Sequence, residues 1–254
     1  MEMETEIRIE QQNDGRWLVI LVRPVLEQAY GPYDLPEAQR QADRLRNLYR
    51  SENGAVLERV AQAVHDGMQA DGLKPSACIA GAAAIRDLLS SDAADETAGI
   101  LPVELVAVTA AAFNAPGWRL LLAHSDPHRD PARWAADGAW SVGLGFGADP
   151  EPGRWPGHLV AVVDRRWLVD PTLGQASRPD RGLTLPDILV LPLTERWVRG
   201  REDTVIRLPG DTTVTVARRR NAPSFQHSPD WRESRRRTQR VAAALALLQA
   251  EEAR

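Results

Sequence analysis

The run Gly157-His-Leu-Val-Ala-Val-Val-Asp-Arg-Arg-Trp-Leu-Val-Asp-Pro-Thr172 constrains the fold of this chain more than any other segment. Leu159 to Val163 is an unbroken apolar stretch; a polar stop follows, and then Trp167-Leu-Val169. β-Branched and aromatic residues on two arms, split by a short polar connection, predict a β-hairpin. With helical and strand patterns both present along the chain, the expected fold class is α+β.

Two polar residues interrupt that apolar frame. His158 and Asp170 are symmetric about Asp164, so antiparallel pairing through a short turn is expected to set them directly opposite each other. Facing residues have Cβ atoms roughly 4.5–5.5 Å apart and share a sheet face. That spacing lets a carboxylate fix the tautomer and orientation of an imidazole. Taken alone, the pair reads as a satisfied structural contact.

The chain's one cysteine, Cys78, shifts that reading. The spacing predicts a helix from about Ser76 to Leu89, with Ser76 as its cap and Cys78 in its first turn. Helix N-termini favour thiolate over thiol, and their unpaired amides can receive an oxyanion. Gly81, among small neighbours, would let a strand approach the helix closely. A lone cysteine on an Ala-rich helix is more often a packed residue. A thiol, an imidazole and a carboxylate in this chain order instead point to nucleophilic catalysis by cysteine.

These segments resemble the transglutaminase-like superfamily: a cysteine opening a helix, His158 followed by Val163 on one strand, and Trp167-Leu-Val-Asp-Pro-Thr172 on the next. This papain-like group contains transglutaminases, bacterial proteases and deamidases, and is related to the arylamine N-acetyltransferases. The resemblance spans residues 75–174. It implies a core in which the helix carrying the cysteine packs on an antiparallel sheet carrying the other two residues. It also implies Cys78 as nucleophile, His158 as base and Asp170 as the orienting acid. The implied activity is protease, amidase or transamidase chemistry through an acyl-enzyme, without metal or other cofactor. A peptide or protein would be the acyl donor, and water or an amine the acceptor. Ser76-Ala77 before Cys78 and Ile79 after it replace the Gly-x-Cys-Trp context usual in transglutaminases. The alternative is a non-catalytic, partner-binding protein on the same fold.

Three regions are expected. Residues 1–52 read as a small ββα unit, with strands Glu6 to Glu10 and Arg16 to Val22 around Asn13-Asp14-Gly15. Its helix starts at Asp34-Leu-Pro-Glu37 and runs to about Tyr49, with Ala38, Ala42, Leu45 and Leu48 on the inner face. Residues 53–195 form the core: a helix from Gly54 to Met68, the Cys78 helix, and strands at Val103 to Thr109, Trp118 to His124 and Ala139 to Phe146 ahead of the hairpin. Glycine and proline crowd between Gly143 and Gly157, predicting a loop that enters the site. After Ile188 to Pro192, residues 196–254 supply strands Thr204 to Leu208 and Thr212 to Ala217, then an amphipathic helix opened by Ser228-Pro229.

Trp155 and Trp140, with Trp134, flank the Gly/Pro-rich stretch and are candidates for lining a substrate groove, although core packing is the commoner use of tryptophan. His124, Asp126 and His128 alternate as metal ligands can, but their polar, proline-rich setting reads better as a surface loop. No phosphate-binding loop or dinucleotide fingerprint occurs. A formal net charge of −4 argues against nucleic acid as the main partner, despite Arg218-Arg219-Arg220 and Arg235-Arg236-Arg237. One cysteine forms no intrachain disulfide, the acidic start lacks signal-peptide character, and no apolar run reaches membrane-span length. Those features fit a cytoplasmic protein with no membrane partner.

Overall fold

Apolar strand patterns dominate the middle of the chain, and a computed structural model shows how they combine. It describes residues 5–23, 26–50, 53–70, 72, 78–90, 101–145, 155–229 and 231–233. The strands are β1 (Glu6–Gln11), β2 (Trp17–Arg23), β3 (Leu26–Tyr33), β4 (Val103–Phe113), β5 (Ser141–Leu144), β6 (His158–Val163), β7 (Trp167–Asp170), β8 (Leu189–Pro192), β9 (Thr204–Leu208) and β10 (Thr212–Arg218). The helices are α1 (Leu35–Arg50), α2 (Asn53–Ala70), α3 (Cys78–Leu89), α4 (Ala115–Leu122), α5 (Pro131–Ala136) and α6 (Glu195–Val198).

One antiparallel sheet runs in the order β1-β2-β3-β9-β10-β4-β6-β7-β8, and β5 joins β4 beside β6. The sheet curls. The Tyr30 hydroxyl donates to the Pro192 carbonyl at 2.9 Å, and the Arg23 guanidinium to that of Val190 at 2.9 Å, so β2 and β3 approach β8. The protein is thus a mixed α+β fold, with helices on a large curled antiparallel sheet.

The two faces of the sheet hold different cores. Against α1, α2 and α3 lie Val19, Leu21, Tyr30, Ala161, Val163, Trp167 and Val169, meeting Leu45, Leu57 and Ile85. Inside the curl, Val108, Val160, Val162, Leu168, Leu191, Ile206 and Val214 pack around Trp197. All six residues of β6 and all four of β7 are buried, as a hairpin covered on both faces requires. Each such aliphatic side chain contributes about 1.5–3 kcal/mol on full burial, so the hairpin is the rigid centre of the molecule.

Three expectations need correction. The N-terminal unit is βββα, not ββα: Leu26–Tyr33 alternates buried and half-buried positions as a third strand. Its polar Glu27 and Gln28 and its Gly31-Pro32 pair obscured that alternation. This strand pairs Gln28 with Ile206, so residues 1–52 and the C-terminal hairpin belong to the same sheet as the middle of the chain. Trp118 to His124 is not a strand. Asn114 caps α4 there, accepting from the Gly117 amide at 3.0 Å, with Pro116 in the first turn. The third correction concerns the hairpin register and bears directly on the site. No helix among the described residues is long and apolar enough to cross a membrane.

Candidate active site

The β6–β7 turn sets the geometry. Asp164 and Arg165 both have positive φ, 49° and 52°, and the Arg166 amide donates to the Val163 carbonyl at 2.9 Å. The ladder then pairs Val163 with Trp167, Val162 with Leu168 and Ala161 with Val169. Its centre is Arg165 rather than Asp164, so continuing the register sets Asp170 opposite Val160. His158 is therefore a diagonal neighbour of Asp170 and not its direct partner. The two still share a face, because two residues is one full pleat. Diagonal neighbours are about 7–8 Å apart, within reach of long side chains.

That reach is used. His158 Nε2 lies 2.7 Å from Asp170 Oδ2, and both side chains are only 2% exposed. The other carboxylate oxygen, Oδ1, accepts from the Thr172 amide and from the Thr172 hydroxyl, each at 2.8 Å. Pro171 has no amide hydrogen, so Thr172 carries the nearest downstream donors. The turn is also held from outside: His65 Nδ1, on α2, sits 3.0 Å from the Pro171 carbonyl oxygen. Gly81 of α3 lies so close that a Cβ there would be 2.8 Å from the Pro171 ring and 3.1 Å from the Thr172 methyl. The close approach expected at Gly81 is thus made to the turn that carries Asp170.

Cys78 is the first residue of α3, and its Sγ lies 4.0 Å from the Gly157 carbonyl oxygen, immediately before His158. The Cys78 side chain also lies near enough to the His158 ring to influence its charge. Burial alone favours a neutral imidazole. The Asp170 carboxylate opposes it by charge and hydrogen bond, Cys78 adds to the effect, and the net result pushes the His158 pKa up to about 10. With Nε2 committed to Asp170, Nδ1 is the nitrogen left to exchange a proton. Gln175 Nε2 stands 3.2 Å from that Nδ1. Ser76, expected to cap the helix, lies outside the described residues, as does most of the Gly/Pro-rich loop.

Trp155 borders this group. Its indole covers Gly157, where an added Cβ would come within 2.1 Å of the ring, and its Nε1 donates to the Pro223 carbonyl at 2.8 Å. Trp140 stands apart. It precedes Ser141, which pairs with Phe113, whereas His158 pairs with Val108. Five residues along β4 amount to about 16 Å at a strand's rise. Trp140 is 41% exposed and carries the Arg181 guanidinium 3.9 Å above its ring. Trp134 is buried, its Nε1 donating to Ser125 at 3.2 Å. Asp126 accepts from the His128 amide in a local turn, and no group of three or more His, Cys, Asp or Glu among the described residues could hold a metal ion.

The structure therefore brings together Cys78, His158, Asp170 and Trp155, and leaves Trp140 elsewhere. Sequence reasoning missed Thr172, Gln175, His65 and Gly145. Thr172 was visible in the Asp-Pro-Thr run, since a threonine after proline is a natural donor to the preceding carboxylate. Gly145, at φ 75°, lets the chain pass where a Cβ would sit 2.4 Å from the Val108 carbonyl and 3.0 Å from the His158 amide nitrogen. His65 and Gln175 gave no local signal, because only tertiary packing brings them to the site. No family model, curated protein or solved structure matches the chain.

Proposed function

We propose that this protein is a cysteine-dependent acyl-transfer enzyme on a transglutaminase-like core, acting on a peptide or protein acyl donor. One observation carries the reading: the buried His158 ring pairs with the Asp170 carboxylate at 2.7 Å, and the Cys78 sulfur lies 4.0 Å from the carbonyl oxygen of Gly157, the residue before that histidine. A structural His–Asp contact requires no thiol beside it. In the reaction, the Cys78 proton passes to His158 Nδ1 before attack, the Asp170 pair keeps that imidazolium charged, and the sulfur then attacks the carbonyl carbon. The tetrahedral intermediate collapses with cleavage of the bond to the leaving group, which receives that proton from His158. Water or an amine, deprotonated by His158, then attacks the thioester and releases Cys78. Asp170 holds the ring through Nε2 and stabilises the imidazolium. The start of α3 adds the positive end of a helix dipole where negative charge develops. Trp155 borders the acyl-donor site, and a single unpaired thiol suits the reducing cytoplasm.

A second reading, a partner-binding protein on the same fold, draws on one fact: Cys78 is only 8% exposed. The two are separated by reaction with p-nitrophenyl acetate. The enzyme reading expects a burst of about one equivalent of nitrophenol, an acetyl group on Cys78 by mass spectrometry, and loss of both in Cys78→Ser and His158→Ala. A folded protein that gives no adduct even at high ester concentration supports the binding reading instead.

A further inference from the structure

We propose that the segment following β10, residues 219–229 together with Trp231, is a strap that gates access to Cys78 and holds the site closed at rest. The inference rests on the acyl-transfer reading and concerns the regulation of that site.

Four side chains close a small cluster, Cys78, Ile79, Ala82 and Leu159, and the strap supplies two of them in Phe225 and Trp231. Leu105 and Trp155 are the others. Phe225 meets Trp155 edge-on at 5.9 Å and Trp231 edge-on at 5.1 Å, so the three rings form a continuous cover. Edge-to-face pairs of this kind add about 0.5–1.5 kcal/mol each beyond area burial.

The strap is fastened at three points. At its root, the Arg219 guanidinium donates to the carbonyls of Gly145 at 3.1 Å and Pro156 at 2.9 Å. Midway, Pro223 accepts from the Trp155 indole. At its far end, Trp231 lies under the Arg86 guanidinium of α3, 5.4 Å from the ring centroid. Ser228 is buried there and accepts from the Trp231 amide at 3.1 Å; the expected terminal helix beyond residue 233 lies outside the described residues. Between the fastenings there is little to hold the strap. Pro223, Ser224, Gln226 and His227 are exposed, and the one regular element is a single 3₁₀ turn at Phe225–His227. Segments with few buried contacts open at lower free energy than the core. In this proposal the acyl donor reaches Cys78 Sγ by displacing Phe225 from the cluster it packs against, whereas His158 and Asp170 lie on the buried hairpin and stay in place.

The test uses the full chain and iodoacetamide, a small neutral alkylator, because one cysteine gives one reportable adduct. Phe225→Ala and Trp231→Ala are each expected to raise the Cys78 alkylation rate at least tenfold while the melting transition stays cooperative. Phe113→Ala, which removes a comparable ring contact with Trp118 away from the site, is expected to leave the rate unchanged. In the unaltered protein, alkylation in low urea is expected to outpace what the globally unfolded fraction allows. Unchanged rates in the strap variants, an equal rise in Phe113→Ala, or alkylation that tracks global unfolding would each overturn the gate. Should a strap variant not fold, the urea measurement decides alone. Adding His158→Ala separates the two claims. A strap effect that persists while removing His158 changes nothing retains the gate and counts against the triad. A clear His158 effect without a strap effect does the reverse.

Discussion

Two buried carboxylates in this molecule have different partners. Asp170 faces a histidine that also meets a glutamine amide and follows Gly157, whose carbonyl oxygen lies 4.0 Å from the Cys78 sulfur. Glu202, 5% exposed, lies in a second polar cluster, accepting from the hydroxyls of Tyr33, at 3.1 Å, and Thr194, with Arg196 at 3.5 Å. That second cluster joins β3 to the start of α6, since Thr194 also caps that helix by accepting from the Trp197 amide at 3.0 Å. Burial holds Glu202 above the ordinary carboxylate range and raises the Tyr33 hydroxyl. Both sites are sequestered and hydrogen-bonded, so neither property identifies chemistry. What differs is the partner: a titratable imidazole for Asp170, against hydroxyl donors that fasten strand to helix for Glu202.

The largest effect that can break this comparison is on acyl transfer. Asp170→Asn is expected to slow Cys78 acetylation by p-nitrophenyl acetate by about 10²–10⁴-fold in the folded fraction, because it removes the group that orients the ring. Glu202→Gln is expected to change the rate less than about twofold, as a staple remote from the reacting atoms should. Equal losses in both would reduce Asp170 to a staple as well.

The pH dependence of stability sharpens the contrast. His158 is raised from 6.5 to about 10, so its stabilisation is complete below pH 6.5 and is lost as pH rises through about 10. Glu202 is also raised, from 4.5, and its contribution is complete below 4.5 and is lost as pH climbs through its elevated pKa. Urea unfolding from pH 4 to 10.5 should therefore show two declines in separate windows. Asp170→Asn is expected to flatten the alkaline decline and Glu202→Gln the acidic one; a variant that removes the wrong decline would break the assignment.

A smaller effect tests how the helix meets the turn. Alanine in place of Gly81 gains about 1 kcal/mol of helix propensity. The added methyl would lie 2.8 Å from a proline ring that cannot swing away. Overpacking of this kind costs about 1–3 kcal/mol, so Gly81→Ala should lower stability by up to about 2 kcal/mol and slow acylation. Ala84→Gly, on the same helix but packed in the core shared with α1 and α2, should leave acylation unchanged; chemical denaturation and the nitrophenol burst read both.

The same contrast explains what was legible in sequence. Leu159 to Val163 and Trp167 to Val169 announced a hairpin because composition and turn agreed, and the structure adds that it is buried on both faces. His158 and Asp170 stood out as polar residues within it, although the register was misjudged: positive φ at two non-glycine residues cannot be read from Asp164-Arg165. β3 was hidden by its polar half-buried positions, and α4 by an apolar run that fits either period until Asn114 is recognised as a cap. Glu202 and Tyr33, 169 residues apart, gave no sign of meeting. Local physics reveals an element, and long-range pairing shows which polar residues share a pocket.

The central claim is that Cys78, His158 and Asp170 act as one unit, and a double-mutant cycle on Cys78 acetylation tests it most directly. His158→Ala and Asp170→Asn should each slow the reaction greatly, and the double variant should be no slower than His158→Ala alone, since Asp170 acts only through the ring. Losses that multiply in the double variant would show two independent residues, and the triad would not stand.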